Sequence, residues 1–412
     1  MPRSFVVVGA SLAGATAAAT LRQDGFDGDL TLIGAEPHPP YERPPLSKQY
    51  LRGEAPFEKA LVRPVTFYDE HRIETILGVR ATRVDPAERV VHLETGRRLP
   101  YDKLLIATGV RNRRPPIPGL ELPNVFDLRS VTDADALRKQ IATGARAAVI
   151  GMGFIGCEVA ASLRQKGVDV VAIESSATPL FRVLGEEVGA VVAAMHHDHG
   201  VETIFDDLVM RFEGQGRVER VTTKHGRRLE CDFAVVGVGV EPVVDFLADS
   251  GIGIDNGILV DEYCRTTVDG IYAAGDVANH QHPVFARRMR VEHWQNAMQQ
   301  GAAAARSMLG TGQPYDAIHW FWSDQYDANL QYAGSHRKWD RLVIRGSLDE
   351  RRFIAFYLNQ GRIDAVVALN RGKDVRRAMP LIRSRGLPDP ERLKDEDVDL
   401  RSLALQTTSG GQ

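Results

Sequence analysis

Cysteine is scarce in this 412-residue chain: there are three, Cys157, Cys231 and Cys264, and none before position 157. Their wide spacing makes neither a CxxC pair nor an even-numbered disulfide framework, which excludes a disulfide-stapled secreted module and fits a reducing, cytoplasmic compartment. No apolar run approaches the ~18 residues that span a bilayer, so no membrane segment is read. Excess charge of either sign is also missing, since Lys+Arg 51 against Asp+Glu 54 leaves a net charge of −3. That balance gives no global basic field for nucleic acid or anionic lipid, and any charged docking surface must be local. No metal site is read from the pattern. Arg3 followed by Phe5 to Ala19 superficially resembles a secretory leader, but Gly9, Gly14 and the strand-like run that follows make it read as mature fold.

What is present is an ordinary globular composition, 43% hydrophobic and 25% charged, long enough for two to three domains at about 150 residues each. Phe5 to Val8 is a short apolar, β-branched run ending in Gly9, the pattern of a strand buried on both faces of a parallel sheet. Ala10 to Arg22 reads as a helix packed tightly on that sheet, with Asp24-Gly25 ending it, and Leu30 to Ile33 closes a βαβ unit. The same grammar recurs at Arg146 to Ile150, Gly151 to Lys166 and Val168 to Ile173. Further strand-like runs, Leu104 to Ala107, Phe233 to Val236 and Gly270 to Ala273, are followed by Gly109, Gly237 and Gly275, where backbone can approach a ligand closely. From about Pro314 the texture becomes aromatic and charged, and the alternating runs Arg341 to Gly346, Phe353 to Leu358 and Ile363 to Leu369 predict an antiparallel sheet with one solvated face. The tail 406–412 reads as disordered. The fold class is therefore α/β, with two Rossmann-like dinucleotide-binding domains and a C-terminal α+β domain.

Two glycine constellations carry the chemistry. In Gly9-Ala-Ser11-Leu-Ala-Gly14, Gly9 makes the tight turn, Ser11 replaces the middle glycine, and Gly14 lets helix and strand pack closely. The helix N-terminus offers free N–H groups and a positive dipole end to a pyrophosphate. Glu36, at the end of the next strand, can accept hydrogen bonds from ribose hydroxyls; a structural turn with a surface glutamate is the alternative. Gly151-Met-Gly153-Phe154-Ile155-Gly156 is a full G-x-G-x-x-G with Glu174 closing its unit. A carboxylate there would repel a 2′-phosphate and accept from a 2′-OH, favouring NADH over NADPH, although Arg182 nearby could supply phosphate charge instead.

Further motifs accompany these: Tyr41-Glu-Arg43-Pro-Pro-Leu-Ser-Lys48, Leu104-Leu-Ile-Ala-Thr108-Gly109, Val238-Gly239-Val-Glu241-Pro242, Ile271-Tyr-Ala-Ala-Gly275-Asp276, Glu292-His-Trp294-Gln-Asn-Ala and Trp320-Phe-Trp322-Ser-Asp-Gln325. Together they resemble the flavin-dependent pyridine nucleotide-disulfide oxidoreductase superfamily, and within it the NADH-dependent ferredoxin reductases of bacterial oxygenase systems, the putidaredoxin reductase and biphenyl dioxygenase ferredoxin reductase group. The resemblance assigns FAD to the first fingerprint, including Ala13, and NADH to the second. It implies an FAD-binding domain at 1–109 and 236–313, interrupted by an NAD-binding domain at 110–235, with a C-terminal domain at 314–405. It also implies that Glu36 holds the FAD ribose, that Arg43, Lys48, Ala81 and Arg129 line the cofactor, that Asp276 binds its ribityl and phosphate region, and that Trp294 opens a helix beside the pyrimidine ring. A helix N-terminus there would stabilise negative charge as flavin is reduced. An N-cap role for Asp276 is compatible with this. The resemblance implies that Lys48 lies near flavin N5, where it could pair with Glu158 beside the nicotinamide, both acting by positioning.

Disulfide reductases of this fold carry a redox CxxxxC, and NADH peroxidases or oxidases a single cysteine near the first helix, whereas residues 1–150 here hold none. Cys157 reads as a small packed residue. Electrons must then leave to an external acceptor, which the resemblance names as a [2Fe-2S] ferredoxin serving a cytochrome P450 or a ring-hydroxylating dioxygenase. A rubredoxin reductase, a nitrite-reductase flavoprotein subunit, a monodehydroascorbate reductase and a redox-gated flavoprotein of the apoptosis-inducing-factor type remain alternatives. Arg287, Arg288 and Arg290, with Arg337, Lys338 and Arg341, are candidates for steering an acidic ferredoxin, against the reading of solvated surface charge. Trp320 and Trp322 are candidates for the electron path, against ordinary strand packing.

Overall fold

Phe5, Val6 and Val7 are completely buried because each lies between two parallel neighbours and both faces of the sheet are covered. The computed structural model describes residues 3–403, so the tail read as disordered lies outside the described residues. The first sheet runs in the order Ile271–Ala273, Lys103–Ile106, Ser4–Val8, Asp29–Gly34, Glu74–Leu77, with all pairs parallel. Alternation sorts its side chains into two cores. Phe5, Val7, Leu30 and Leu32 pack with Ala17 and Leu21 of the helix Leu12–Gln23 and with Ala304 and Met308 of the helix Trp294–Leu309. Val6, Val8, Ile33, Leu104 and Ile106 pack on the other face with Val84, Val91 and Leu93 of a small antiparallel sheet.

The second parallel sheet has the order Glu202–Ile204, Asp169–Ile173, Arg146–Ile150, Phe233–Val236, Val125–Phe126. The helix Phe154–Gln165 follows its central strand. The C-terminal sheet is antiparallel in the order Trp320–Gln325, Ala328–Gly334, Arg362–Leu369, Arg352–Asn359, Arg341–Ser347. The expected solvated face of this sheet is corrected for the inner strands Arg352–Asn359 and Arg362–Leu369. Residues Phe353 to Leu358 are all buried; the helix Gly372–Ser384 packs on the neighbouring strands Ala328–Gly334 and Arg362–Leu369, and Tyr357 reaches from the sheet to donate to the Leu184 carbonyl at 2.7 Å. The two outer strands, Trp320–Gln325 and Arg341–Ser347, keep an alternation of buried and more exposed positions.

By contact density the chain divides into two compact units, residues 1–42, 57–111 and 240–319 in one, and 43–56, 112–239 and 320–412 in the other. The segment that bears Lys48 belongs to the second unit. Among the described residues no helix is long and apolar enough to cross a membrane.

Candidate functional site

In the first unit the glycine loop is dictated by close approach. Gly9 takes φ +119°, and a Cβ on it would sit 2.1 Å from the Ala107 carbonyl oxygen; a Cβ on Gly14 would sit 1.9 Å from the Gly9 oxygen. These contacts clamp the end of the first strand, the start of the helix and the Ala107-Thr108-Gly109 segment together. Ser11 occupies the N-cap without a side-chain capping bond, so the leading N–H groups of the helix remain available to an anion. Ala13 is the meeting point of the unit: a Cβ on Gly275 would lie 2.9 Å from its Cβ, and one on Gly301 would lie 2.3 Å from its carbonyl oxygen.

Around this junction Thr108 donates to the Val243 carbonyl at 2.8 Å, and the Gly109 carbonyl accepts from the Val243 N–H at 3.0 Å. Gln300 accepts from the Gly275 N–H at 2.9 Å and is fully buried. The Tyr41 hydroxyl donates to the Glu36 carboxylate. Trp294 begins the long helix as expected and hydrogen-bonds to the carboxyl of Glu42, which burial pushes up from its ordinary value. Asp276 departs from the expectation of a carboxylate at a helix start. It sits in a single 3-10 turn, Gly275–Val277, which passes directly into the strand Ala278–His282. Ala81 begins the strand Ala81–Asp85 and packs on the core beneath the sheet. Gln300 and Gly301 were not found from sequence; their only trace is a small residue at one turn of an otherwise alanine-rich helix.

The second unit repeats the device. Gly151 has φ +90° and a Cβ there would meet the Gly237 oxygen at 2.5 Å, while one on Gly156 would meet the Gly151 oxygen at 1.9 Å. Gly153 is the N-cap, again with no side-chain cap. Glu174 accepts from the Met152 N–H at 2.7 Å and from the Ser176 N–H at 2.9 Å, so its carboxylate stands against the loop. Ile155, Phe181 and Val238 are 45%, 40% and 39% exposed. Val238 and Phe181 adjoin the loop through Gly151 and through the Leu180 N–H bond to the Met152 carbonyl. Such an apolar rim beside free helix N–H groups suits an aromatic ring attached to a pyrophosphate. Arg182 is exposed on the same stretch, and the Gly239 carbonyl accepts from the Arg113 N–H at 2.9 Å.

Next to this loop lies a buried ion pair. Pro44 and Pro45 open a 3-10 turn, Pro44–Ser47, that ends at Lys48. The Lys48 ammonium is 2.6 Å from Glu158 Oε2 and donates also to the Pro44 carbonyl at 3.1 Å. Ser47 donates to the same carboxylate oxygen at 2.5 Å, and Ser323 to Oε1 at 2.7 Å. Gln325 donates to Ser323 at 3.2 Å. Lys48 and Glu158 are 7% and 3% exposed, so the two charges meet away from water with both carboxylate oxygens satisfied. The sequence pointed to Lys48 and Glu158 but assigned nothing to Ser47, Ser323 or Gln325. Arg43 donates to the Arg129 carbonyl, joining two of the expected cofactor-lining residues.

Cys157 is wholly buried beside Glu158, and burial, then the Glu158 and Glu174 charges, push its thiol far above the ordinary range. A thiolate nucleophile is disfavoured there. Trp320 and Trp322 stack at 5.5 Å on one face of their strand, held by Gln331 and Asp324. Arg337, Lys338 and Arg341 are exposed. Arg288 is anchored to the Val260 and Asn279 carbonyls, and Arg287 lies over the Phe285 ring. Arg290 is corrected as a docking candidate. Its side chain is 8% exposed, paired with Glu292 at 2.6 Å and bonded to the Asp276 carbonyl, so it holds the 276 turn in place.

Two parallel-sheet units, each with an uncapped glycine loop at a helix N-terminus, and a buried lysine–carboxylate pair beside the second loop define a two-dinucleotide oxidoreductase. The comparisons with known proteins agree. Residues 3–301 match the pyridine nucleotide-disulphide oxidoreductase family, and 320–404 match the reductase C-terminal family. The chain belongs to the pyridine nucleotide-disulphide oxidoreductases. It is 39% identical over 97% of its length to rhodocoxin reductase of Rhodococcus erythropolis, covering 93% of that protein. It is 40% identical to the ferredoxin–NAD(+) reductase component of the anthranilate 1,2-dioxygenase system of Burkholderia cepacia, covering 97% of this chain and 98% of that one. Among solved structures, the covalent putidaredoxin reductase–putidaredoxin complex superposes with a TM-score of 0.95 at 33% identity, over 99% of both chains. A ferredoxin reductase from Rhodopseudomonas palustris superposes with 0.94 at 35% identity, over 97% and 99%.

Proposed function

We propose that this chain is an NADH-dependent FAD reductase that passes single electrons to a [2Fe-2S] ferredoxin supplying a cytochrome P450 or a ring-hydroxylating dioxygenase. The observation that carries the reading is the pairing of two dinucleotide loops with an absence of usable thiol chemistry. All three cysteines are free and buried, and each thiol is pushed up, first by burial.

The residues present fit the two cofactors. Neither glycine loop admits a Cβ at Gly14 or Gly156, and neither helix is capped by its own side chain. Residues 1–109 and 236–313 would form the FAD-binding domain, 110–235 the NAD-binding domain and 314–405 the C-terminal domain. Gly9, Ser11, Ala13 and Gly14 would hold the FAD pyrophosphate, Glu36 its ribose, and Arg43, Ala81, Thr108, Gly109, Arg129, Gly275, Asp276 and Trp294 the rest. Gly151 to Gly156, Glu174, Arg182 and Gly239 would hold NADH. When bound, the flavin accepts a two-electron hydride and releases electrons singly, which is why such a cofactor links NADH to an iron–sulfur acceptor. Lys48 and Glu158 position, as a fixed pair whose rotamers Ser47 and Ser323 lock.

The testing experiment is anaerobic stopped-flow of the purified protein against NADH and NADPH, followed by mixing of the reduced protein with a [2Fe-2S] ferredoxin. NADH-specific bleaching of the flavin band and prompt reoxidation by ferredoxin are expected. A missing flavin band refutes the cofactor assignment, and bleaching without reoxidation refutes the acceptor. Charge reversal at Arg337 and Lys338, or at Arg287 and Arg288, is expected to slow ferredoxin reduction and flatten its salt dependence while NADH oxidation by ferricyanide persists. Equal loss of both activities refutes the docking assignment.

A further inference from the structure

The hydrogen bonding around the buried Lys48–Glu158 pair continues past Ser323. Ser323 and Gln325 are alternate residues of the strand Trp320–Gln325 and share a face, and the helix Phe181–Asp198 brings His196 to Gln325. His196 Nε2 is 3.0 Å from Gln325 Oε1, and its Nδ1 is 3.0 Å from the Tyr326 hydroxyl. Gln325 Nε2 is 3.2 Å from Ser323 Oγ, which is 2.7 Å from Glu158 Oε1. Ser323, Gln325 and His196 are 0%, 1% and 0% exposed. The far end approaches water, where half-buried Tyr326 stacks at 3.6 Å on the exposed His199. Glu158, Ser323, Gln325, His196 and Tyr326 all belong to the second unit.

The carboxylate sets the direction of every link. It has no hydrogen to give, so the single Ser323 hydroxyl hydrogen goes to Glu158, and the Ser323 oxygen has to accept from the Gln325 amide nitrogen. That turns the Gln325 carbonyl oxygen toward His196. The proton of the neutral ring then sits on Nε2, and Nδ1 is left to accept from Tyr326. Burial keeps the ring neutral, lowering its pKa to about 4. All four hydrogen bonds therefore point at Glu158, each polarising the next. The Gln325 amide transmits orientation and not protons, because it has no titrating hydrogen at neutral pH, so the chain is not a proton wire. Replacing both partners of a buried hydrogen bond by apolar groups of the same shape is often nearly neutral, so stability alone does not account for a polar chain aimed at one carboxylate.

We propose that His196 and Gln325 are positioning residues that act through Ser323 on Glu158, fixing the Oε1 side of the carboxylate while Lys48 and Ser47 hold the Oε2 side. The inference rests on the proposed NADH-dependent function, in which Lys48 and Glu158 position the reactants. A carboxylate held on one side only can turn about its last bond, and the rate of a step between bound groups depends steeply on alignment. The chain bears on the hydride step, whereas the glycine loop and Glu174 are assigned to NADH affinity.

Two measurements on the full-length, flavin-loaded protein test this. The first labels histidine with ¹⁵N and reads the His196 tautomer by NMR at neutral pH, the signal being identified by its loss in His196→Gln. A proton on Nε2 and a bare Nδ1 are expected, and the unmodified protein suffices for the reading. The second is anaerobic stopped-flow with NADH, which separates the limiting rate of flavin bleaching from the apparent dissociation constant. Gln325→Glu keeps the size of the side chain but competes with Glu158 for the Ser323 hydrogen. Ser323→Ala and Gln325→Glu are each expected to lower the limiting rate about tenfold, the scale of one lost hydrogen bond to a charged group, with the dissociation constant little changed. The double variant should be no slower than Ser323→Ala, because Gln325 has lost the residue through which it acts. An Nδ1-protonated His196, an unaltered limiting rate, a loss in affinity alone, or losses that multiply in the double variant overturn the inference even where NADH bleaches the flavin. A flavin that NADH does not bleach refutes the proposed function, and with it the step the chain serves, while the tautomer still reports on the chain itself.

Discussion

Glu158 is buried with three side-chain donors, and its behaviour on substitution follows from that. Removing the ammonium with Lys48→Met leaves a buried carboxylate with only Ser47 and Ser323 as donors, and breaking one side of a buried pair costs about 3–5 kcal/mol. A fall of that size in chemical-denaturation stability is expected, with the double variant Lys48→Met/Glu158→Gln recovering part of it. Additive losses would show that the pair is not coupled. Lys48 and Glu158 could be singled out from the chain because each lies in a motif: one after Pro44-Pro45, the other two residues past Gly156. Ser47 and Ser323 could not. A serine hydroxyl has no sequence signature, and Ser323 reaches Glu158 from a residue separation of 165.

At the scale of elements, the two glycine loops are the same solution reached twice. Gly14→Ala should abolish flavin loading, because the new Cβ would be 1.9 Å from the Gly9 oxygen; Gly156→Ala should spare the flavin and abolish NADH binding. Flavin content by absorbance and NADH affinity by titration separate the two outcomes. Glu174→Ala should narrow the NADH-over-NADPH ratio of kcat/KM by roughly tenfold, the scale of one lost charge–hydrogen-bond discrimination of about 1.4 kcal/mol. An unchanged ratio would give Glu174 a purely structural role in holding the Met152 N–H. Strands were readable to within a residue or so, from continuous apolar runs bounded by glycine. Helix starts were not. The helices begin at Leu12 and Phe154, later than Ala10 and Gly151, because Gly9 and Gly151 take positive φ and Ser11 and Gly153 are extended. The inner strand Arg362–Leu369 was misjudged as half-solvated because the helix that packs on it follows it in the chain and no strand periodicity reveals it.

At the scale of the whole molecule, acid stability has a contribution from buried histidines, and His196, remote from both dinucleotide loops in sequence, is one of four whose pKa burial lowers. His196 lies between Gln325 Oε1 and the Tyr326 hydroxyl, each at 3.0 Å, and burial lowers its pKa from 6.5 to about 4. Between those values the unfolded chain takes up a proton that the native state refuses. The contribution of this group to native stability therefore falls as pH drops through 6.5 and levels below about 4, a loss on the order of 3 kcal/mol. Denaturation midpoints measured from neutral to acid pH should show it, and His196→Gln should flatten the slope by about one proton. An identical slope in the variant would assign acid sensitivity elsewhere. The sequence alone determined the fold class and both glycine loops, and it pointed to an external electron acceptor. These rest on local rules: the alternation of buried strands, the left-handed backbone that glycine permits, and the plain lack of early cysteine. Tertiary structure alone decided which charges are free and which are spent, as with Arg290 against Glu292 and Asp276. It also decided which polar groups meet, as with Glu158 and Ser323, or His196 and Gln325. Those outcomes depend on distances between residues far apart in the chain, and hydrogen bonds and ion pairs act only over a few ångströms once packing has brought their partners together.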